Sequence, residues 1–353
     1  MVVIGVNQVI EMEPSNESNF YKRFRVYLRQ QKLREALADL TSALKVKPDY
    51  ESALVQRAKL QLKMGKCYEA SQDFQNLRAR NPNHKDLSMA DNADTCKQAL
   101  KEADKRIELK RYKEARDYLN VAGKFAESSV NLFVLRALCN INLGDFYETV
   151  ADAGRALKLD GGNLEALDLR GKGYYVLGEF DMAMNHFRQG LQYDPEHVDI
   201  KESYRTIKKI QTHETKATKA QGKRDWEGAV KHWLAMIAVD PEHPVYIFKA
   251  AVELAKAYKE LKQYENGKIA LEDILRRDEN HAPALHQLGL ILLDMELFEE
   301  AVQKCKRAAE IDNGNGAYQD GLKRAEAALK QSKQKDYYKI LGKYMSFILF
   351  MII

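Results

Sequence analysis

The chain has 353 residues, 45% of them hydrophobic and 30% charged. That apolar mass excludes a disordered polymer, and 7 Pro with 19 Gly exclude a collagen-like or linker-dominated chain. A net charge of +5, spread along the sequence, is too mild for a nucleic-acid surface, and no run of about 18 apolar residues reaches a membrane span.

Residues 1–18 read MVVIGVNQVI and then EMEPSNES. A basic start and a long apolar stretch are both missing, so this is a poor signal peptide and is expected to be disordered. Helical hairpins follow. The first carries Leu33, Ala36, Leu40, Ala43 and Pro48; the second Ala58, Met64-Gly65, Tyr68, Ala70, Phe74 and Pro82. A weaker third has Ala103, Tyr112, Ala115, Leu119 and Ala122. The fourth and fifth align on Leu143-Gly144 and Leu177-Gly178, with Phe146 and Phe180 after the turn and Ala156 and Gly190 further on. The sixth carries Trp226, Ala229, Trp233 and Pro241; the seventh Ala255, Tyr258, Tyr264, Gly267 and Leu271; the eighth Gly289, Phe298, Ala301, Cys305 and Ala308.

This period of 34 residues, from Gly144 to Gly178, resembles the tetratricopeptide repeat (TPR), a helix–turn–helix unit. Small residues let the two helices cross closely, and the aromatic after the turn fills the space between units. Proline or an Asp-Pro pair (Asp194-Pro195, Asp240-Pro241) stops the second helix. One unit cannot bury its own apolar face, so stacking is obligatory. The expected fold is all-α, a TPR solenoid or superhelix of about eight repeats with a C-terminal capping helix.

The spacing is uneven. With the small residue after each turn as marker (Ala36, Ala70, Ala115, Thr149, Ala183, Ala229, Gly267, Ala301), the steps from Ala70 to Ala115 and from Ala183 to Ala229 are about three helical turns longer than 34. The added segments, 83–98 and 197–213, read as lengthened helices that divide the array. The expected organisation is a disordered 1–18, subdomains at 19–92 (two repeats), 93–205 (three) and 206–315 (three), and a cap at 316–335. In that cap Leu322, Ala325, Ala328 and Leu329 share one face and lysines crowd the other.

Asp336-Tyr337-Tyr338-Lys339-Ile340-Leu341-Gly342 comes next, then an apolar tail over 343–353. DYYKILG resembles the opening of a J domain. Eight TPRs followed by LKQSKQKDYYKILG resemble the DnaJ homolog subfamily C member 3 family, TPR-containing J-domain co-chaperones of the endoplasmic reticulum also described as inhibitors of an interferon-induced protein kinase. The resemblance covers residues 20–342. It implies a TPR part that holds unfolded or misfolded proteins, a J domain that stimulates a luminal heat-shock-70 chaperone, a place in the unfolded-protein response, and a stress kinase as a further partner. The family's J domain works through a His-Pro-Asp tripeptide. Here His243-Pro244 is followed by Val245, and the match to the J domain ends at Lys343. The chain therefore reads as a truncated form that does not stimulate an ATPase. Its compartment is the endoplasmic reticulum lumen by resemblance, or the cytoplasm if the chain is complete.

TPR stacks present their first helices on a concave surface. Alternate turns of three first helices give the candidate peptide-binding groove: Tyr21, Arg25 and Leu28; Val55, Lys59 and Leu62; Val134, Leu138 and Ile141. A half-apolar lining suits exposed hydrophobic stretches of unfolded chains; the competing reading is that these residues pack between helices. A clamp for a terminal carboxylate needs converging Lys, Arg and Asn. Val55, Val134 and Leu138 stand where such cations would, which favours client binding over tail binding.

No P-loop, GxGxxG or HExxH occurs, and nothing couples a nucleophile to a base. The chain is expected to be non-enzymatic, with no cofactor or metal. Cys67, Cys96, Cys139 and Cys305 lack metal-site spacing; they are buried helix residues or, in an oxidising compartment, up to two disulfides. His84, His197, His213, His243 and His281 read as solvated surface or turn residues. The alternative function is a scaffold or regulatory adaptor, such as a kinase inhibitor, that binds one folded partner.

Overall fold

The computed structural model describes the backbone of residues 2–352 and the side chains of residues 7–334. After α1 (Val2–Met12) come eight hairpins: α2 (Glu17–Arg29) with α3 (Leu33–Val46), α4 (Glu51–Lys63) with α5 (Cys67–Arg80), α6 (Ala90–Glu108) with α7 (Tyr112–Gly123), and α8 (Val130–Asn142) with α9 (Phe146–Leu159). Then follow α10 (Leu164–Val176) with α11 (Phe180–Tyr193), α12 (Val198–Gly222) with α13 (Trp226–Ile237), α14 (Tyr246–Glu260) with α15 (Tyr264–Arg277), and α16 (Ala282–Asp294) with α17 (Phe298–Ile311). A final helix, α18, runs Gly316–Ile352. The expected cap therefore continues through residues 336–342 as one helix; the side chains of Asp336, Tyr337, Tyr338, Ile340, Leu341 and Gly342, and of the apolar tail, lie outside the described residues.

Residues 2–12 correct the expectation of a disordered start. They form α1, which packs on α2, and Asn7 Oδ1 accepts a 2.9 Å bond from Arg23. A stretch this poor in charge has no reason to stay solvated.

Each hairpin turns through one residue in the left-handed region: Gln31, Gly65, Lys110, Gly144, Gly178, Arg224, Lys262 and Glu296, with φ from 56° to 81°. All lie five positions before the small marker residue. A left-handed residue after a helix lets the chain reverse while the amide of the following residue still bonds the last turn: Lys66 N reaches Gln61 O at 2.8 Å, and Gln263 N reaches Tyr258 O at 2.9 Å. Three second helices end on extended residues, as the position before proline requires: Lys47 (φ −132°), Asn81 (φ −140°) and Asp194 (φ −139°).

The core repeats with the frame. Four positions after each marker lie Leu40, Phe74, Leu119, Ala153, Phe187, Trp233, Leu271 and Cys305, every one at most 1% exposed. Close crossing needs a small partner: a Cβ on Gly171 of α10 would fall 2.4 Å from the Phe187 ring of α11.

The chain divides into two compact units, residues 1–175 with 179–201, and 176–178 with 202–353. Residue 93, a boundary suggested by the spacing, lies inside the first unit, where Cys67 of α5 and Cys96 of α6 form a disulfide with Cα atoms 5.7 Å apart. The long steps correspond to a 3-10 turn (Lys85–Met89) leading into the 19-residue α6, and to the 25-residue α12. Within the first unit Ser128 N donates to Lys63 O at 2.9 Å, and Arg34 at the start of α3 pairs with Asp160 beyond α9 at 2.7 Å.

Inside three hairpins a first-helix arginine grips an aspartate of the second helix. The pairs are Arg23–Asp39 (2.6 Å), Arg57–Asp73 (2.7 Å) and Arg136–Asp152 (2.6 Å), with carboxylates nearly or fully buried. Planar guanidinium forks suit these sites because they satisfy both carboxylate oxygens at once.

Candidate functional site: the faces of the first helices

The candidate groove residues separate into two groups. Val55, Leu62 and Val134 are 4%, 3% and 2% exposed and belong to hydrophobic cores. They are packing residues, which corrects their assignment to the groove: each is buried among the side chains of a hydrophobic core. Arg25 and Leu28 are exposed on α2, while Leu138 and Ile141 of α8 are half-buried. Tyr21 is half-buried, with its ring 5.4 Å from Phe24 and 5.3 Å from Tyr50. Lys59 donates to Asp86 at 2.7 Å, and its ammonium holds that carboxyl below the usual carboxylate range.

The first unit also has a cleft of about 710 Å³ at its hairpin tips. Leu33, Met64, Phe133 and Leu159 supply apolar walls, and Lys32 and Lys158 supply charge. None of the sequence-derived groove residues lines it, although Met64 and Phe133 lie close to Leu62 and Val134 in the chain.

The second unit holds a cleft of about 570 Å³ that the reading of three first helices does not reach. Its walls include Thr218 and Gln221 of α12, Trp226 at the start of α13, Lys256 and Lys259 of α14, and Leu290 of α16. Thr218, Lys256 and Leu290 stand at the repeat position of Lys59 and Leu138; Gln221 and Lys259 stand at that of Leu62 and Ile141. The frame, carried through copies six to eight, finds them.

Every lysine of this second cleft is answered. Lys256 donates to Glu253 at 2.6 Å, Lys259 pairs with Asp294 at 3.1 Å, and Gln221 donates to the other Glu253 oxygen at 3.2 Å. Such a surface offers hydrogen bonds and apolar patches without trapping a free anion. Burial pushes the Cys139 and Cys305 thiols up to about 11, which removes them as nucleophiles. Among the described residues no three His, Cys, Asp or Glu side chains converge on a metal position, and no described helix is long and apolar enough to cross a membrane.

Four of the histidines are turn residues, as one of the two sequence readings has it, and the structure gives them a role there. His84, His197, His243 and His281 occupy the last position of repeats two, five, six and seven and cap the following element. Their Nδ1 atoms accept from Asp86 N (3.1 Å), Ile200 N (3.4 Å), Val245 N (3.1 Å) and Ala284 N (3.3 Å). His243 is 1% exposed. An imidazole lone pair here does what Asn or Ser does at an ordinary helix start; Ser129 and Asp225 do so for α8 and α13.

Comparison with known proteins agrees with this geometry. Tetratricopeptide-repeat family models match residues 164–197, 248–281 and 282–315. DnaJ protein P58IPK homolog A of Oryza sativa subsp. japonica is 30% identical over 338 residues, covering 96% of this chain and 64% of that protein. DnaJ protein P58IPK homolog of Arabidopsis thaliana is 33% identical over 70% of this chain and 51% of its own length. DnaJ homolog subfamily C member 3 of Homo sapiens is 27% identical over 94% of this chain and 67% of its own length. The chain thus spans about half to two thirds of the curated relatives it matches. The crystal structure of the P58(IPK) TPR domain superposes with a TM-score of 0.78 at 24% identity, covering 94% of this chain and 93% of that one, which shows the shared fold.

Proposed function

Because this chain is a member of the DnaJ C3 (P58IPK) family and carries its TPR region, we propose that it holds unfolded or misfolded polypeptides along its first-helix faces. The observation that carries this reading is the composition of those faces. Exposed or half-buried Leu28, Leu138, Ile141 and Leu290 alternate with polar groups whose charges are already paired. A surface of that kind takes up apolar segments at about 25 cal/mol per Å² buried, while its hydrogen-bonding groups meet an extended backbone without demanding one sequence. In the whole protein a J domain would pass the client to a heat-shock-70 chaperone. The Cys67–Cys96 disulfide supports an oxidising compartment such as the endoplasmic reticulum lumen.

The test is suppression of aggregation of a chemically denatured client, without nucleotide. Leu28→Glu with Leu138→Glu is the informative pair, because both side chains reach solvent; Leu62→Glu would unfold the core instead. The expected result is suppression by the wild-type chain that weakens several-fold in the variant at unchanged helicity. Absence of suppression by the wild-type chain would overturn the reading.

A further inference from the structure

The aspartate rung of hairpins one, two and four has a different counterpart in hairpins five and six. At the equivalent positions Arg170 of α10 stands opposite His186 of α11, and Lys216 of α12 stands opposite His232 of α13. The cation is kept and the carboxylate is replaced by imidazole.

At both sites an imidazole ring packs against a ring of the facing helix. The His186 ring stacks on Tyr174 of α10, with centroids 5.6 Å apart and planes within 3°. The Arg170 guanidinium lies 5.7 Å from the centre of the same tyrosine. Arg170 Nε and His186 Nδ1 are both buried without a hydrogen-bond partner among the described residues. In hairpin six, His213 Nδ1 of α12 sits 3.3 Å from His232 Nδ1. At that distance one ring gives the proton and the other the lone pair, so a second proton has no acceptor.

The groups facing these rings offer little relief. His186 meets Arg170 and Tyr174 from α10, and Gln189 from its own helix. His213 meets His232 from α13 and Lys216 from its own helix. Glu214, the adjacent carboxylate, is taken by Lys249 of α14 at 2.6 Å. Burial, followed by Arg170, lowers the proton affinity of His186; burial, followed by His232 and Lys216, lowers that of His213.

We propose that hairpins five and six form an acid-sensitive segment of this fold, in which protonation of His186 and of the His213–His232 pair gathers like charges inside each hairpin and opens it, while the aspartate-rung hairpins stay closed. The sign follows from linkage. The unfolded chain binds the protons of His186 and His213 more tightly than the folded one, so the stability of the two hairpins is whole above the ordinary histidine value of about 6.5 and is lost as pH falls below it.

Hydrogen exchange at pH 7.5 and 5.5, corrected for intrinsic rates, tests this on the full chain. Opening of α10 to α13 should rise roughly tenfold at the lower pH, against less than about twofold in α2 to α5, α8 and α9. His186→Asp with His232→Asp restores a carboxylate to each rung, and His186→Gln with His232→Gln removes two of the three rings without adding charge; both pairs should diminish the rise. An equal rise in every hairpin, no rise in α10 to α13, or an undiminished rise in both variant pairs would overturn the proposal.

Discussion

The Arg57 guanidinium on α4 holds the Asp73 carboxylate on α5 with two hydrogen bonds of 2.7 Å, one to each oxygen. Asp73 is nearly buried, with a side-chain exposure of 5%, while Arg57 keeps 21%. The pair joins the two helices of a hairpin at its midpoint, where no backbone hydrogen bond can.

Removing one partner should therefore cost more than removing both. Asp73→Ala leaves a partly buried guanidinium unanswered and should destabilise by about 2–4 kcal/mol, somewhat below the range for fully buried pairs because Arg57 retains solvent contact. Arg57→Met with Asp73→Leu should lie within about 1 kcal/mol of wild type. Urea unfolding of the single and double variants checks this; equal losses in both would show that the pair adds only packing.

The hairpin tips offer stabilising substitutions. Gln31, Lys110, Arg224, Lys262 and Glu296 hold positive φ without being glycine. The left-handed conformation costs an ordinary residue about 1–2 kcal/mol, part of which glycine gives back in unfolded-state entropy. Lys110→Gly and Lys262→Gly should each gain about 0.5–1 kcal/mol in thermal unfolding. Gly65→Ala should lose about 2–3 kcal/mol, because its Cβ would fall 2.2 Å from Ser129 Oγ.

Much of the fold is legible in the sequence because packing dictates it. Ala36 and Ala70 are fully buried, as a close helix crossing requires, and the 34-residue step between them sets the frame of the hairpins. The left-handed tips are less legible, since only three of the eight use glycine. The groove is half legible. Repeat position alone does not tell Ile141, which is partly open, from Leu62, which is buried in the core. The histidine caps follow from position as well, but an imidazole acceptor has no motif of its own. Nor does spacing announce the pairing of Cys67 with Cys96; the packing of α5 on α6 brings them together.

That disulfide closes a separation of 29 residues. Its removal by Cys67→Ser with Cys96→Ser, or by reductant, should lower stability by about 3–4 kcal/mol on the loop-entropy relation. Free Cys139 and Cys305 are buried and serve as internal controls, since they should resist alkylation in the folded chain. Melting curves with and without reductant, with mass spectrometry of alkylated cysteines, give the result; identical melting would show that the crosslink does not form.

The most direct test of the binding account is to map where a bound unfolded polypeptide protects the chain from hydrogen exchange. The account predicts slowed exchange in the first helices, at α2 and α8 in one unit and α12, α14 and α16 in the other, with the second helices unchanged. Protection confined to second helices or to one edge, or the absence of any footprint at saturating client, would contradict it.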